Sequence, residues 1–199
     1  MNLAPAVPGE AWEWMWSPYD DTIYAAVLEQ IAPNDIVLEI GAGDFRLARQ
    51  IAHRAQRVYA LERKKALLEN LEADLLANCH VIAGDGRWLP FPKEVTIAVL
   101  LMRHCTHLFW YWTKLTAVSC PKLITNARWG MDVEVIDLSG PRVPYETLSM
   151  GWYACWCGNT GFIPGQAEQL TGTMMDTIWE VNTCPACVNT GLSNVGHSI

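Results

Sequence analysis

Four of the seven cysteines stand in two close pairs, Cys155-Trp156-Cys157 and Cys184-Pro185-Ala186-Cys187. Two short-spaced thiolate pairs can complete a tetrahedral four-sulfur site for Zn2+. Each second cysteine is followed by the same turn chemistry, Cys157-Gly158-Asn159-Thr160-Gly161 and Cys187-Val188-Asn189-Thr190-Gly191. The repeat predicts two knuckles related by a pseudo-twofold axis. The chain between them is expected to form a hairpin, and turn N–H groups to hydrogen-bond the sulfurs. The competing chemistry is a redox pair at Cys184 and Cys187, which requires no bound metal and a readily alkylated thiol. His197 is a substitute metal ligand. Cys79, Cys105 and Cys120 are dispersed and read as buried free thiols.

A second constellation combines carboxylates with glycines: Glu39-Ile40-Gly41-Ala42-Gly43-Asp44, then Glu62, then Gly84-Asp85-Gly86. Gly41 and Gly43 allow close approach of a ligand to the backbone. Glu62 is placed to accept hydrogen bonds from both hydroxyls of a ribose, and Asp85 could accept from an adenine amine. A dinucleotide fingerprint would need a third glycine at position 46, which is Arg46. Glu39, ahead of the first glycine, would repel a pyrophosphate but attract a sulfonium or ammonium.

These groups need elements to carry them. Asp35–Ile40, Arg57–Leu61, His80–Ala83, Val95–Leu101 and Lys122–Asn126 read as short buried strands. Helical patterns lie between them at Asp44–Arg54, Lys64–Asn78 and Thr106–Val118, with another at Asp20–Ile31 ahead of the first strand. Such alternation predicts an α/β fold: a doubly wound parallel sheet with helices on both faces. Its ligand site lies beyond the carboxyl ends of the strands. Val133–Ile136 and Gly151–Ala154 are candidates for further strands of that sheet, with the cysteine-bearing segment growing out of it.

Glu39-x-Gly41-x-Gly43, then Glu62, then Gly84-Asp85 resembles the first three motifs of the class I S-adenosylmethionine (SAM) dependent methyltransferases, over roughly residues 18–127. The resemblance implies a Rossmann-like sheet that binds SAM at this rim. Glu39, Gly41, Ala42 and Gly43 would line its methionine end, Glu62 with Arg63 would hold the ribose, and Asp85 with Gly86 would lie by the adenine. The string from Gly41 to Arg46, with Ser17-Pro18-Tyr19 ahead of it, is similar to the protein-lysine branch. Phe45 departs from the family, which often has glycine there, so its ring must turn away from the cofactor or the loop must differ. Methyl transfer is chiefly positioning in line with the sulfonium, but a hydroxyl or ammonium acceptor must first lose a proton. His104, after the fourth strand, is the candidate base and His107 the second. The Asn/Asp-Pro-Pro-aromatic motif of amino-methylating nucleic-acid enzymes is absent there, and so is a cytosine-C5-type Pro-Cys dipeptide, so those two substrate branches are disfavoured.

Composition narrows the class. Apolar residues make up 51% of the 199 and charged residues 18%, which excludes a disordered chain. No apolar run reaches the roughly 20 residues that span a bilayer. The first residues lack the basic and apolar parts of a signal peptide, so a cytoplasmic protein without a membrane partner is expected. The net charge of −7 is unevenly spread: −5 over residues 1–30, +4 over 31–128 and −6 over 129–199. Three parts follow: an acidic, Trp-rich segment with the leading helix (1–30), a SAM-binding domain (31–138) and a zinc-ribbon appendage (139–199). Trp12, Trp14 and Trp16 alternate, as in an extended segment laid on the core or a lid over a ligand. Nucleic acid is disfavoured at the acidic ribbon. The reading is a SAM-dependent methyltransferase with structural Zn2+. A protein side chain is the first choice of acceptor and RNA the second. The non-enzymatic rival is an inactive, zinc-stapled Rossmann-like scaffold.

Overall fold

The computed structural model describes residues 18–69, 75–103, 105–129 and 132–189. The Trp12–Trp16 alternation and His197 lie outside them. The chain divides into two compact units, residues 1–139 and 140–199.

In the larger unit the order is α1 (Asp21–Leu28), β1 (Ile36–Ile40), α2 (Arg46–Ala52), β2 (Arg57–Glu62), α3 (Lys65–Glu69), β3 (Cys79–Ala83), β4 (Ile97–Leu100), α4 (Leu108–Ala117), β5 (Lys122–Thr125) and β6 (Glu134–Asp137). The sheet runs β3-β2-β1-β4-β5-β6. Its first five strands are parallel and β6 is antiparallel at the edge. This is the expected Rossmann-like doubly wound sheet. Strand order reverses between β1 and β4, which opens a crevice at the carboxyl ends of those strands. Side chains alternate across a strand. Val37, Val58, Ala60, Ile97, Val99 and Ile124 therefore share one core with α1 and α2. Tyr111 of α4 lies against the opposite set, beside Ile40 and Leu61.

Several boundaries differ from the sequence reading. Asp20 caps α1 by accepting from the Ile23 N–H at 3.0 Å. The helix after β1 starts at Arg46 rather than Asp44, because the Asp44 carboxylate accepts the Arg46 N–H at 3.1 Å and so closes the turn ahead of it. The described part of the helix after β2 ends at Glu69, and residues 75–78 are not helical. There the Asn78 amide donates to the Ala52 and Ala55 carbonyls and anchors the entry to β3. The helix expected over Thr106–Val118 spans Leu108–Ala117.

Phe45 answers the question raised by its size. Its φ is 63°, a left-handed angle that favours glycine, and its ring is 0% exposed in the core formed with α1 and α2. Burial of the ring outweighs the backbone strain, so the ring turns inward while the turn keeps its course. Phe45→Ala is expected to destabilise the larger unit by about 4 kcal/mol. Phe45→Gly should cost about 1 kcal/mol less, since it relieves the strain. Equilibrium denaturation of the two variants checks this; equal losses would mean the angle carries no strain.

In the smaller unit β7 (Gly151–Cys155) pairs antiparallel with β8 (Thr160–Ile163) and parallel with β9 (Ile178–Val181). Helices α5 (Gly172–Asp176) and α6 (Pro185–Asn189) flank β9 in sequence. Two expectations are corrected here. Gly151–Ala154 does not extend the large sheet but forms the centre of a separate three-stranded one. The chain between the cysteine pairs is not one hairpin. It turns back through β8, crosses by α5 and returns in β9 parallel to β7. The reason is geometric. Cys155 ends β7 and Cys184 follows β9, so only parallel strands deliver both pairs to one end. Among the described residues no helix is long and apolar enough to cross a membrane.

Candidate functional site

A cavity of about 660 Å3 opens at the carboxyl ends of β1 and β2 and the segment after β4. That lies within the ~300–1,000 Å3 usual for small-molecule sites. Glu39, Gly41, Ala42, Glu62, Arg63, Asp85 and Gly86 all line it, as do Asp44 and Lys64. The in-phase carboxylates read from sequence thus converge. Gly43 serves from behind: its N–H donates to Glu62 Oε2 at 2.8 Å, while the Lys64 N–H donates to Oε1 at 2.7 Å. The buried Glu62 carboxylate is oriented by backbone on both sides. Gly41 and Gly43 have φ of 81° and 60°, left-handed angles that favour glycine.

Glu39 is the unusual group. It is only 5% exposed, and its Oε2 has no hydrogen-bond partner. Burial, then the nearby Glu62 and Asp44 carboxylates, push its pKa up to about 8. Asp85 is differently placed. Burial alone would raise its pKa, but the hydrogen bonds from Arg87 hold it below the ordinary value. Arg87 Nε and Nη2 grip it at 2.6–3.1 Å and Arg63 stands at 3.7 Å. Arg87 Nη1 also lies 2.9 Å from His107 Nε2. A guanidinium only donates, so that nitrogen accepts and is already engaged. His104 lies outside the described residues.

Tyr19, Tyr24, Met102, Arg103 and Tyr111 also line the cavity, and the sequence reading gave none of them a place there. Tyr19 and Arg103 meet across 84 positions of sequence. The Arg103 N–H donates to the Tyr19 hydroxyl at 3.1 Å, and its guanidinium lies 5.0 Å from the ring centroid. Only the Ser17-Pro18-Tyr19 string hinted at this wall.

In the smaller unit the sulfurs of Cys155, Cys157, Cys184 and Cys187 lie within 4.8 Å of one another. Three of the separations are 3.5, 3.6 and 3.8 Å. A tetrahedron of sulfurs at the Zn–S bond length would have edges of about 3.8 Å, so the set fits a small tetrahedral cation. The Asn159 side chain donates to Cys157 Sγ at 3.2 Å and its backbone N–H does so as well, the turn chemistry expected of the first knuckle. Thr190 and Gly191 of the second repeat lie outside the described residues. As free thiols the cluster shares protons unevenly. A hydrogen bond from Cys155, then the Asn159 contacts, pull Cys157 down to about 4, while burial pushes Cys187 up to about 12. Cys184 and Cys187 are 2% and 0% exposed, which disfavours a reactive redox pair.

No protein-family model matches the chain. It is 42% identical over 77 residues to a probable ribosomal RNA small subunit methyltransferase A of Methanosarcina mazei, a stretch that is 38% of this chain and 28% of that protein. The resemblance to methyltransferases is borne out. The protein of the same name from Pyrococcus furiosus is 36% identical over 81 residues, 39% of this chain and 30% of its own. The chain thus spans less than a third of the length of these curated relatives. Among solved structures, a dimethyladenosine transferase from Plasmodium falciparum aligns with a TM-score of 0.48 at 18% identity, over 53% of this chain and 41% of its own. The 23S rRNA methyltransferase ErmE aligns at 0.46 and 23% identity, over 54% and 46%.

Proposed function

We propose that the chain is a SAM-dependent methyltransferase whose acceptor is RNA, with structural Zn2+ held by Cys155, Cys157, Cys184 and Cys187. The observation that carries the cofactor reading is the unpartnered, buried oxygen of Glu39 in a cavity ringed by a glycine loop and Glu62. A buried carboxylate without a partner is stabilised by a cation, and the methionine end of SAM carries two. A scaffold that bound nothing would gain nothing from this arrangement. The residues present fit the cofactor.

When bound, SAM supplies an electrophilic methyl group on its sulfonium. The remaining work falls to this chain. Glu39 takes the cationic end. Gly41, Ala42 and Gly43 bring backbone close to the ligand. Glu62 accepts from the ribose hydroxyls with lone pairs left after its bonds from Gly43 and Lys64. Arg63 and Gly86 flank the nucleoside. Asp85, gripped by Arg87, holds that wall in shape rather than offering adenine a free carboxylate. With His107 Nε2 engaged by Arg87, His104 stays the candidate base.

The relatives move RNA ahead of a protein side chain as acceptor, since they are named for ribosomal RNA. Residues 31–128, thirteen basic against nine acidic, have the charge balance that suits it. Residues 31–138 form the SAM-binding domain in this reading and 139–199 the zinc ribbon.

Calorimetric titration of SAM and S-adenosylhomocysteine into zinc-loaded protein tests the proposal. One site is expected, with affinity reduced about 10–100-fold in Glu62→Ala, the scale of lost hydrogen bonds to a charged group. A folded wild type that binds neither compound would sink the enzyme reading. Transfer of a labelled methyl group to total RNA, sensitive to ribonuclease and not to protease, tests the acceptor.

A further inference from the structure

Trp88 and Trp110 are the most exposed large apolar side chains described in the larger unit, at 77% and 50%. The sheet leaves them on elements that also build the cavity. Trp88 follows Asp85 and Gly86 in one turn, and Trp110 precedes Tyr111 on α4; Asp85, Gly86 and Tyr111 all line the cavity.

Three contacts bring the two elements together. Arg87 Nη1 meets His107 Nε2 at 2.9 Å, and Lys114 Nζ donates to the carbonyls of Gly86 and Leu89. His107, Trp110 and Lys114 are spaced three and four apart, so they share one face of α4. Trp110 therefore borders the turn that carries Trp88. The two exposed indoles thus sit on elements that Arg87, His107 and Lys114 hold together.

The charge of these elements is on balance positive. Residues 85–114 hold Arg87, Lys93, Arg103 and Lys114 against Asp85 and Glu94. Asp85 is neutralised by Arg87 with Arg63 beside it, and Glu94 lies by Arg57. A protein partner would favour a contiguous apolar patch, but here the elements that carry the indoles also carry Arg87, His107 and Lys114. Exposed aromatic faces in a cationic setting suit single-stranded nucleic acid, whose bases stack while its backbone is neutralised.

We propose that Trp88 and Trp110 form a stacking ledge that holds unpaired bases of an RNA strand and leads its acceptor nucleotide into the cavity. The inference rests on the RNA methyltransferase reading and names the surface that recognises the acceptor. Stacking gives affinity without sequence preference, so selection of the acceptor falls to the cavity itself.

The test is fluorescence anisotropy of a labelled oligoadenylate of about ten nucleotides, a typical single-strand site size, with the full-length, zinc-loaded protein. Trp88→Ala and Trp110→Ala are each expected to weaken binding about 10-fold, and the double variant about 100-fold. Trp88→Phe and Trp110→Phe, which keep a ring, should stay within about 3-fold. The slope of log Kd against log salt should not change, because no phosphate contact is removed. Cofactor affinity measured by calorimetry should also be unchanged. A folded double-alanine variant that binds the oligonucleotide like wild type would overturn the ledge. So would a wild type that binds cofactor but no oligonucleotide, or one that prefers an unstructured peptide at this face. Wild type that binds the oligonucleotide through the tryptophans but binds no SAM would instead sink the enzyme reading and leave the ledge standing.

Discussion

Cys187→Ser is expected to unfold the smaller unit. Its described buried apolar side chains are Met150, Ala154 and Val181 with Cys155, Cys184 and Cys187, and Val143, Tyr145, Leu148, Tyr153 and Trp156 are only partly buried against that cluster. So few apolar groups cannot offset the entropy of ordering about 50 residues. In the zinc reading proposed above, the four sulfurs supply the difference through a cation. Structural Zn2+ contributes on the order of 10 kcal/mol to such units. Serine is a poor zinc ligand and leaves three thiolates around an incomplete site. Limited proteolysis read by mass spectrometry should show new cleavages within 140–189, and a colorimetric chelator should detect about one zinc per chain in wild type and none in the variant. Chelation of wild type should reproduce the cleavage pattern. Metal affinity should fall at acidic pH, since thiols must lose protons to bind. Metal-free wild type that resists protease as well as the loaded protein would overturn the zinc reading.

Glu39→Gln is expected to act in opposite directions on the empty and the loaded protein. In the folded chain the carboxyl pKa is pushed up to about 8, by burial first and then by Glu62 and Asp44, against an ordinary value of 4.5. The folded state binds the proton more tightly than the unfolded chain. The group's contribution to stability is therefore fully present below pH 4.5 and lost as pH rises through 8. Glutamine cannot ionise. Without ligand the variant should match wild type near pH 5 and exceed it by a few kcal/mol at pH 9. Thermal melts at the two pH values read this difference directly.

A cationic ligand reverses the preference and draws Glu39 into its charged form. Binding by wild type should release a proton below pH 8, seen as a heat that depends on the buffer's ionisation enthalpy. Affinity should weaken by up to about 10-fold per pH unit below that point. Glu39→Gln should bind SAM about 100-fold more weakly, the scale of a lost buried ion pair, with little dependence on pH. Equal affinity in variant and wild type would show that Glu39 does not face the cation.

Much of the architecture was legible because its signals are local. Short β-branched runs such as Ile36-Val37-Leu38 alternate with helical patterns, and that alternation fixes a parallel sheet whatever the loops do. The Glu39-to-Gly43 turn, Glu62 and Asp85 fall at strand ends in sequence. A parallel sheet with one switch point must bring such ends to one rim, so their convergence was foreseeable. The cysteine pairs were legible for a similar reason: close pairs of thiols have few uses in a segment with so small a core.

What the sequence by itself determined was the set of chemical groups and the edge they share. Tertiary structure alone decided how those groups are spent. Phe45 shows this, since its size suggested a clash with ligand and only packing against α1 and α2 reveals the inward ring. Asp85 read as a free acceptor until Arg87 was found gripping it, and His107 read as a second base until the same arginine met its ring. The Tyr19–Arg103 wall joins residues far apart in the chain, and nothing in their spacing announces the meeting. The parallel return of β9 likewise required knowing that both cysteine pairs must reach one end. Periodicity and motif are properties of neighbours along the chain, whereas hydrogen-bond partnership, burial and charge pairing belong to groups that only folding makes neighbours.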